Sequence, residues 1–169
     1  ELLKVAAIYG PNASGKSSLI RAMGIVGSLL AIPADTMDAA LPVSAFRFDE
    51  TLKDEPSAFE YDFVQGGLRY RFVLGLTAQR IVHEQLLCFP QGKETLLYRR
   101  QVDAQGEHYL FGETLEGGKE VHRAWQRLTS PKMLFIAQAV IHSSEELMQL
   151  RIPFSWFRSG LLVIEQNNM

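Results

Sequence analysis

Cysteine is nearly missing from this 169-residue chain: Cys88 stands alone, so no internal disulfide can brace the fold and a hydrophobic core must hold it. Within Leu86-Leu87-Cys88-Phe89 the thiol reads as buried filler, and a reducing cytoplasm fits. Long apolar runs are missing too. None approaches the ~20 residues a helix needs to cross a bilayer, and the N-terminus lacks the layout of a signal peptide, so no membrane partner is expected. Charge of one sign is not in excess: the net charge is −2 and the pI about 6.1, which demands neither nucleic acid nor an anionic surface, although an average hides any local basic patch. The four histidines, His83, His108, His122 and His142, lack metal-ligand spacing. There is no internal repeat and no low-complexity linker. Hydrophobic residues at 47% and charged residues at 21% are ordinary soluble usage, and the length suits one globular unit with lobes. The chain starts without methionine, inside what reads as a strand, and stops soon after the apolar run Leu161-Leu162-Val163-Ile164, which suggests a larger parent protein.

What is present is a phosphate-binding pattern. Gly10-Pro11-Asn12-Ala13-Ser14-Gly15-Lys16-Ser17 has the form Gly-x-x-x-x-Gly-Lys-Ser and is followed by Ser18. A polyphosphate needs several backbone N–H groups converging on it, and side chains would block that approach. Gly10 and Gly15 let the backbone wrap the phosphates. Lys16 reaches the β- and γ-phosphate oxygens, the Ser17 hydroxyl holds a magnesium ion that keeps most of its waters, and Ser17 and Ser18 open a helix whose positive end favours the anion. ATP with Mg is the expected ligand. The context agrees with the motif. Leu2 to Tyr9 is an almost unbroken apolar run, as for a parallel strand covered on both faces. Leu19, Met23, Val26 and Leu30 then recur at helical spacing, with Pro33 as the stop.

From Leu41 to about Phe111 the period becomes two. Phe59, Tyr61 and Phe63, then Leu68, Tyr70, Phe72 and Leu74, alternate with polar residues around a Gln65-Gly66-Gly67 turn, which predicts a hairpin with one dry face. Further strands are predicted over Ile81 to Phe89, Thr95 to Gln101 and His108 to Phe111, giving an antiparallel meander of about five strands. Arg69, Arg71, Arg99 and Arg100 could form a nucleic-acid stripe, but a solvated face with acidic neighbours such as Glu60 and Asp62 is the preferred reading. Helical spacing returns with Val121, Trp125 and Leu128, and Pro131 starts an apolar stretch through Ala137. Ser143-Ser144-Glu145-Glu146 has capping-box form, introducing a helix broken or kinked at Pro153, and Leu161 to Ile164 reads as a last strand. The expected divisions are a strand, loop and helix over 1–33, an antiparallel β subdomain over 34–112 and a mostly helical lobe over 113–169.

The wording of the loop is more specific than the generic motif. Gly10 to Leu19 resembles the ABC-type ATPases of the branch that includes the SMC, RecF and OLD proteins, where Gly-x-Asn-Gly/Ala-Ser-Gly-Lys-Ser/Thr is usual. Ala13 looks like the bacterial OLD-like AAA-family ATPases often encoded beside phage-defence or toxin-like effectors. Ala45 to Glu50, Asp54 to Glu60 and Gly92 to Tyr98 also resemble that family's early β-region. The resemblance implies an α/β P-loop NTPase fold, the N-terminal half of an ABC-like head, with a Q-loop glutamine leading into the helical lobe. Gln138 is the candidate for that glutamine, sensing magnesium and the attacking water. No Leu-Ser-Gly-Gly-Gln signature is visible, nor a hydrophobic run ending in Asp-Glu with a switch histidine. Leu161 to Gln166 has Glu165 and Gln166 where Asp and Glu belong, and Arg47 interrupts the run before Phe48-Asp49-Glu50. The resemblance therefore implies ATP binding here, with hydrolysis awaiting a missing C-terminal half and a second copy in a homodimer that gates an effector nuclease or manages DNA. Two alternatives stay open: a stand-alone P-loop kinase with the β-region holding the acceptor, and a scaffold module whose loop is vestigial.

Overall fold

Alternation in the middle of the chain becomes an antiparallel sheet of five strands in sequential order: β1 (Ser57–Gln65), β2 (Leu68–Leu76), β3 (Ile81–Cys88), β4 (Thr95–Asp103) and β5 (Gly106–Phe111). The structure is a computed structural model and describes residues 7–31, 39–43, 52, 55–143 and 147–161. Gly66 and Gly67 join β1 to β2 with φ of 60° and 77°, the pair of positive values that a two-residue type I′ turn requires. Tyr61 faces Phe72 and Phe63 faces Tyr70 across the ladder, and Phe63, Tyr70 and Phe72 are buried. The expected register is therefore the observed one. On the opposite face Asp62 takes Arg69 at 2.8 Å and Arg71 at 3.0 Å.

Four helices cover the dry face: α1 (Lys16–Leu30), α2 (Gly118–Leu128), α3 (Phe135–Ile141) and α4 (Met148–Ser155), the last running into a π-helical turn at Trp156–Gly160. Their aromatic residues interleave with those of the sheet. Trp156 stacks on Phe63 at 4.0 Å between ring centroids, Phe157 packs edge-on to Tyr61 and Phe63, and Phe135 meets Tyr98, Tyr109 and Phe111. One contiguous core results.

A polar cluster lies inside that core. Glu84 on β3 and Arg100 on β4 are both fully buried and face each other across the ladder. The Glu84 carboxylate accepts from the Tyr98 hydroxyl at 2.7 Å and from the backbone N–H groups of Phe135 at 2.7 Å and Ile136 at 3.1 Å, and so caps α3. Burial pushes the Glu84 carboxyl above its ordinary value, while Arg100 and these three donors pull the other way. Arg100 donates to Glu107 at 2.9 Å and to the carbonyls of Met133 at 2.7 Å and Ser130 at 3.0 Å. In this way β3, β4 and β5 grip the turn that leads into α3. A second carboxylate does the same for α4: Glu116 accepts from the Gln149 N–H at 3.1 Å, and the Gln149 side chain returns a bond from the Glu116 N–H at 3.0 Å.

Several expectations need correction. Arg100 belongs to neither a nucleic-acid stripe nor a solvated face; it is inside, because strand parity turns Arg99 outward and its neighbour inward. Leu128 is 64% exposed, since α2 ends there and the chain leaves extended at Thr129; His122 joins Trp125 on the buried face instead. Leu19 is also exposed, and the buried stripe of α1 is Ile25, Val26 and Leu29. Pro153 does not break α4, which passes through it before the π turn. Ala7 to Tyr9 are exposed and outside any strand; Leu2 to Ala6 lie outside the described residues, and no parallel pairing occurs among those described. Pro33, Ala45 to Glu50, Ser144 to Glu146 and Leu162 to Gln166 also lie outside them.

The buried cluster yields the first test. Arg100→Leu strands a buried carboxylate and two carbonyls and should cost about 3–5 kcal/mol. Arg71→Ala, on the wet face, should leave the urea midpoint unchanged. Coincident midpoints for the two variants would refute the assignment of Arg100 to the core.

Candidate phosphate-binding loop

Among the described residues it is the second half of α1 that is anchored in the core. Ile25, Val26 and Leu29 insert into the core, and the Tyr61 hydroxyl of β1 donates to the Ala22 carbonyl. The first half carries Gly10 to Gly15 out into solvent, where every residue of that segment is exposed. Such exposure leaves room for a ligand as large as a nucleotide.

Local geometry bends the segment into a cradle. The Ser14 N–H reaches back to the Pro11 carbonyl at 3.3 Å, Ala13 takes φ 63°, and Gly15 takes φ 88° as the residue preceding the helix. The left-handed value costs Gly15 nothing and is unfavourable for a residue with a Cβ. At Gly10 a Cβ would come within 2.9 Å of the Ser14 hydroxyl oxygen, so a larger residue there would have to turn the Ser14 side chain aside. Leu19 makes the first helical bond, to Gly15 at 3.0 Å. No side chain caps the helix and no acidic residue occupies its first turn. The first N–H groups of a 15-residue helix thus point outward without a cap, at the end where the helix dipole favours an anion.

Lys16 completes the arrangement. Its Nζ donates to the Gly10 carbonyl at 2.6 Å and the Pro11 carbonyl at 2.7 Å, and lies 3.5 Å from the Ser14 hydroxyl. The ammonium group therefore folds over its own loop, with three donors available and carbonyl partners that a phosphate oxygen can replace. Ser17 and Ser18 follow on the first turn and are exposed. Ser18 and Arg21 face a hollow of about 210 Å³ that Pro42, Val43 and Phe59 close from the β-region.

All nine predicted loop residues, Gly10 to Ser18, are thus contiguous around one cradle. Gln138 is placed differently: it sits on α3, 4% exposed, and its side chain makes no hydrogen bond to the loop. Among the described residues no three His, Cys, Asp or Glu side chains converge on a metal position. No helix there is long and apolar enough to cross a membrane. Of the four arginines at alternating and neighbouring strand positions, Arg69 and Arg71 pair with acidic residues, Arg99 donates to Gln85 at 2.6 Å, and Arg100 is buried. What sequence reasoning missed is the buried Glu84–Arg100 cluster. The available signal was a Glu inside the apolar run Ile81 to Cys88 together with two consecutive arginines in a strand, one of which had to point inward.

The model of a protein family described as "AAA domain, putative AbiEii toxin, Type IV TA system" matches residues 5–130, which span the loop, the whole sheet and α2. No curated protein and no solved structure matches the chain.

A glycine-to-alanine exchange checks the cradle geometry. Gly15→Ala places a Cβ at φ 88° in an exposed loop, so the loop should reorganise without unfolding the core. ATP affinity is expected to fall at least about tenfold, equal to ~1.4 kcal/mol, with an unchanged melting temperature. Wild-type affinity in that variant would show that the left-handed residue does not shape the site.

Proposed function

The chain belongs to that AAA-domain family, and on this premise we propose that it binds ATP through Gly10 to Ser18, with Lys16 on the β- and γ-phosphates. The observation that carries the proposal is the uncapped first turn of α1 behind a glycine-flanked loop, with the Lys16 ammonium poised over the loop. Binding exchanges two carbonyl partners of Lys16 for phosphate oxygens and supplies acceptors to the outward N–H groups. The fit for magnesium rests on Ser17, whose hydroxyl lies in the exposed first turn. It offers one neutral oxygen and fits an ion that keeps several waters and takes the rest of its ligands from phosphate. When bound, the ion neutralises developing phosphate charge; the chain's own part is to hold the triphosphate and place Ser17 beside it.

We further propose that this is a head of the ABC-like, OLD-type branch, supported by the wording of the loop with Ala13. In that reading turnover awaits a second copy of the parent protein, Gln138 belongs to the segment that responds to the metal and attacking water, and the assembled ATPase gates a toxin-like or phage-defence effector acting on nucleic acid. The family's printed description, which mentions a toxin of a toxin–antitoxin system, supports an effector of that kind. Phosphoryl transfer is mostly positioning and charge stabilisation, and Gly10 to Ser18 supply the positioning of the phosphates.

Isothermal calorimetry with ATP and Mg tests the core of the proposal. Lys16→Ala removes a solvent-facing cation and no core atom, so it should abolish most of the triphosphate affinity and leave thermal melting unchanged. Equal affinities in wild type and variant would contradict the assignment, and loss of melting cooperativity would contradict the description of Lys16 as a surface group.

A further inference from the structure

A pocket of about 530 Å³ lies between the end of α3 and the face of α4 with its π turn. Its polar wall is Arg151 and Arg158, and its apolar wall is Val140, Ile141 and Phe154. Residues 151, 154, 155, 158 and 159 share one stripe at helical spacing, so the two guanidinium groups are carried on successive parts of a single face. Among the described residues no carboxylate lines the pocket.

Neither arginine is explained by the fold. The Arg151 Nε–H is buried and has no hydrogen-bond partner. Buried donors are nearly always satisfied, so the open Nε–H leaves the Arg151 guanidinium without an internal bond that would have to break for it to turn toward a ligand in the pocket. A comparison within the chain sharpens this. Arg80 also has a buried, unpartnered Nε, but its Nη2 is bound to Glu107, whereas Arg151 makes no side-chain hydrogen bond or ion pair with any described residue. Arg158 is exposed and also makes none. Arg69, Arg71, Arg99 and Arg100 each have a partner, whereas Arg158, like the exposed Arg21, Arg123 and Arg127, makes no bond with a described residue. The serines of the stripe cannot serve as donors in their present rotamers: Ser155 Oγ donates to the Ile152 carbonyl at 2.7 Å and Ser159 Oγ to the Ser155 carbonyl at 3.0 Å. They can accept, but the donors available to a ligand are the guanidinium groups.

We propose that this pocket is a second anion site, separate from the phosphate loop, for a small ligand with a phosphate or carboxylate head on an apolar body. The planar forks of Arg151 and Arg158 match either oxyanion, and the wall of Val140, Ile141 and Phe154 takes the body. The site lies outside Gly10 to Ser18 and stands whether or not the loop binds nucleotide.

The test is an NMR titration of the full chain, following the Arg Nε–H resonances with phenyl phosphate, phenylacetate and inorganic phosphate as probes. Phenyl phosphate or phenylacetate should shift Arg151 Nε–H saturably, bind more tightly than inorganic phosphate, and do so equally in Lys16→Ala. Arg158→Gln, at an exposed position, should keep the wild-type melting temperature and weaken that probe at least tenfold; Arg151→Lys, which keeps the charge but loses the fork, should weaken it as well. Whichever of the two organic probes binds more tightly identifies the head group. No movement of Arg151 Nε–H with either, unchanged binding in a folded Arg158→Gln, or equal affinity for inorganic phosphate and the organic probes would overturn the proposal.

Discussion

The buried contact between Glu84 and Arg100 is the constraint on which the arrangement of sheet and helices depends. Two opposite charges taken out of water are costly unless every lone pair and proton finds a partner. Here that requirement is met by groups from outside the sheet: the first N–H groups of α3, and the carbonyls of Ser130 and Met133. The charges therefore cannot be satisfied unless the turn over residues 130–136 lies against β3, β4 and β5. Hydrophobic burial of Phe135 against Tyr98, Tyr109 and Phe111 adds adhesion at the same place. Burial is non-directional, whereas the charged cluster selects one docking position.

The phosphate loop is built on the opposite principle. Its donors are left open and, among the described residues, its carrier helix is anchored from Ala22 onward. An end capped by Gly15 alone, without an acidic residue in its first turn, gives up the local stability that a Ser or Asp cap would add, about a few tenths of a kcal/mol. A site for a highly charged ligand needs that end open. The core fixes where α1 points, and the loop geometry fixes what it can hold.

Much of this was legible in the sequence. Period-two alternation of Tyr61, Phe63, Tyr70 and Phe72 can be satisfied by only one register when one face is dry, and Gly66-Gly67 sets the turn. The loop was legible because the spacing of Gly10, Gly15 and Lys16 is itself the chemistry. What failed had physical causes. Helical spacing names a face but not where burial stops: Leu19 and Leu128 keep the spacing of α1 and α2 and are nevertheless exposed. Arg100 is hard to place from sequence because charge normally signals solvent, and its partners Glu84, Glu107, Ser130 and Met133 are scattered between 7 and 33 residues away. The cap of α4 by Glu116 comes from 33 residues upstream, beyond the reach of any local capping pattern. The apolar strand expected before the loop needs sheet neighbours, and the described strands pair only with each other.

Backbone amide NMR of the full chain, titrated with ATP and Mg, bears most directly on the central claim. The account predicts that the amides of Gly10 to Ser18 move together, most strongly those of Gly15 to Ser18 at the uncapped end of α1, while amides of the β-sheet core stay in place. Saturable changes confined elsewhere, with the loop amides unmoved, would contradict it.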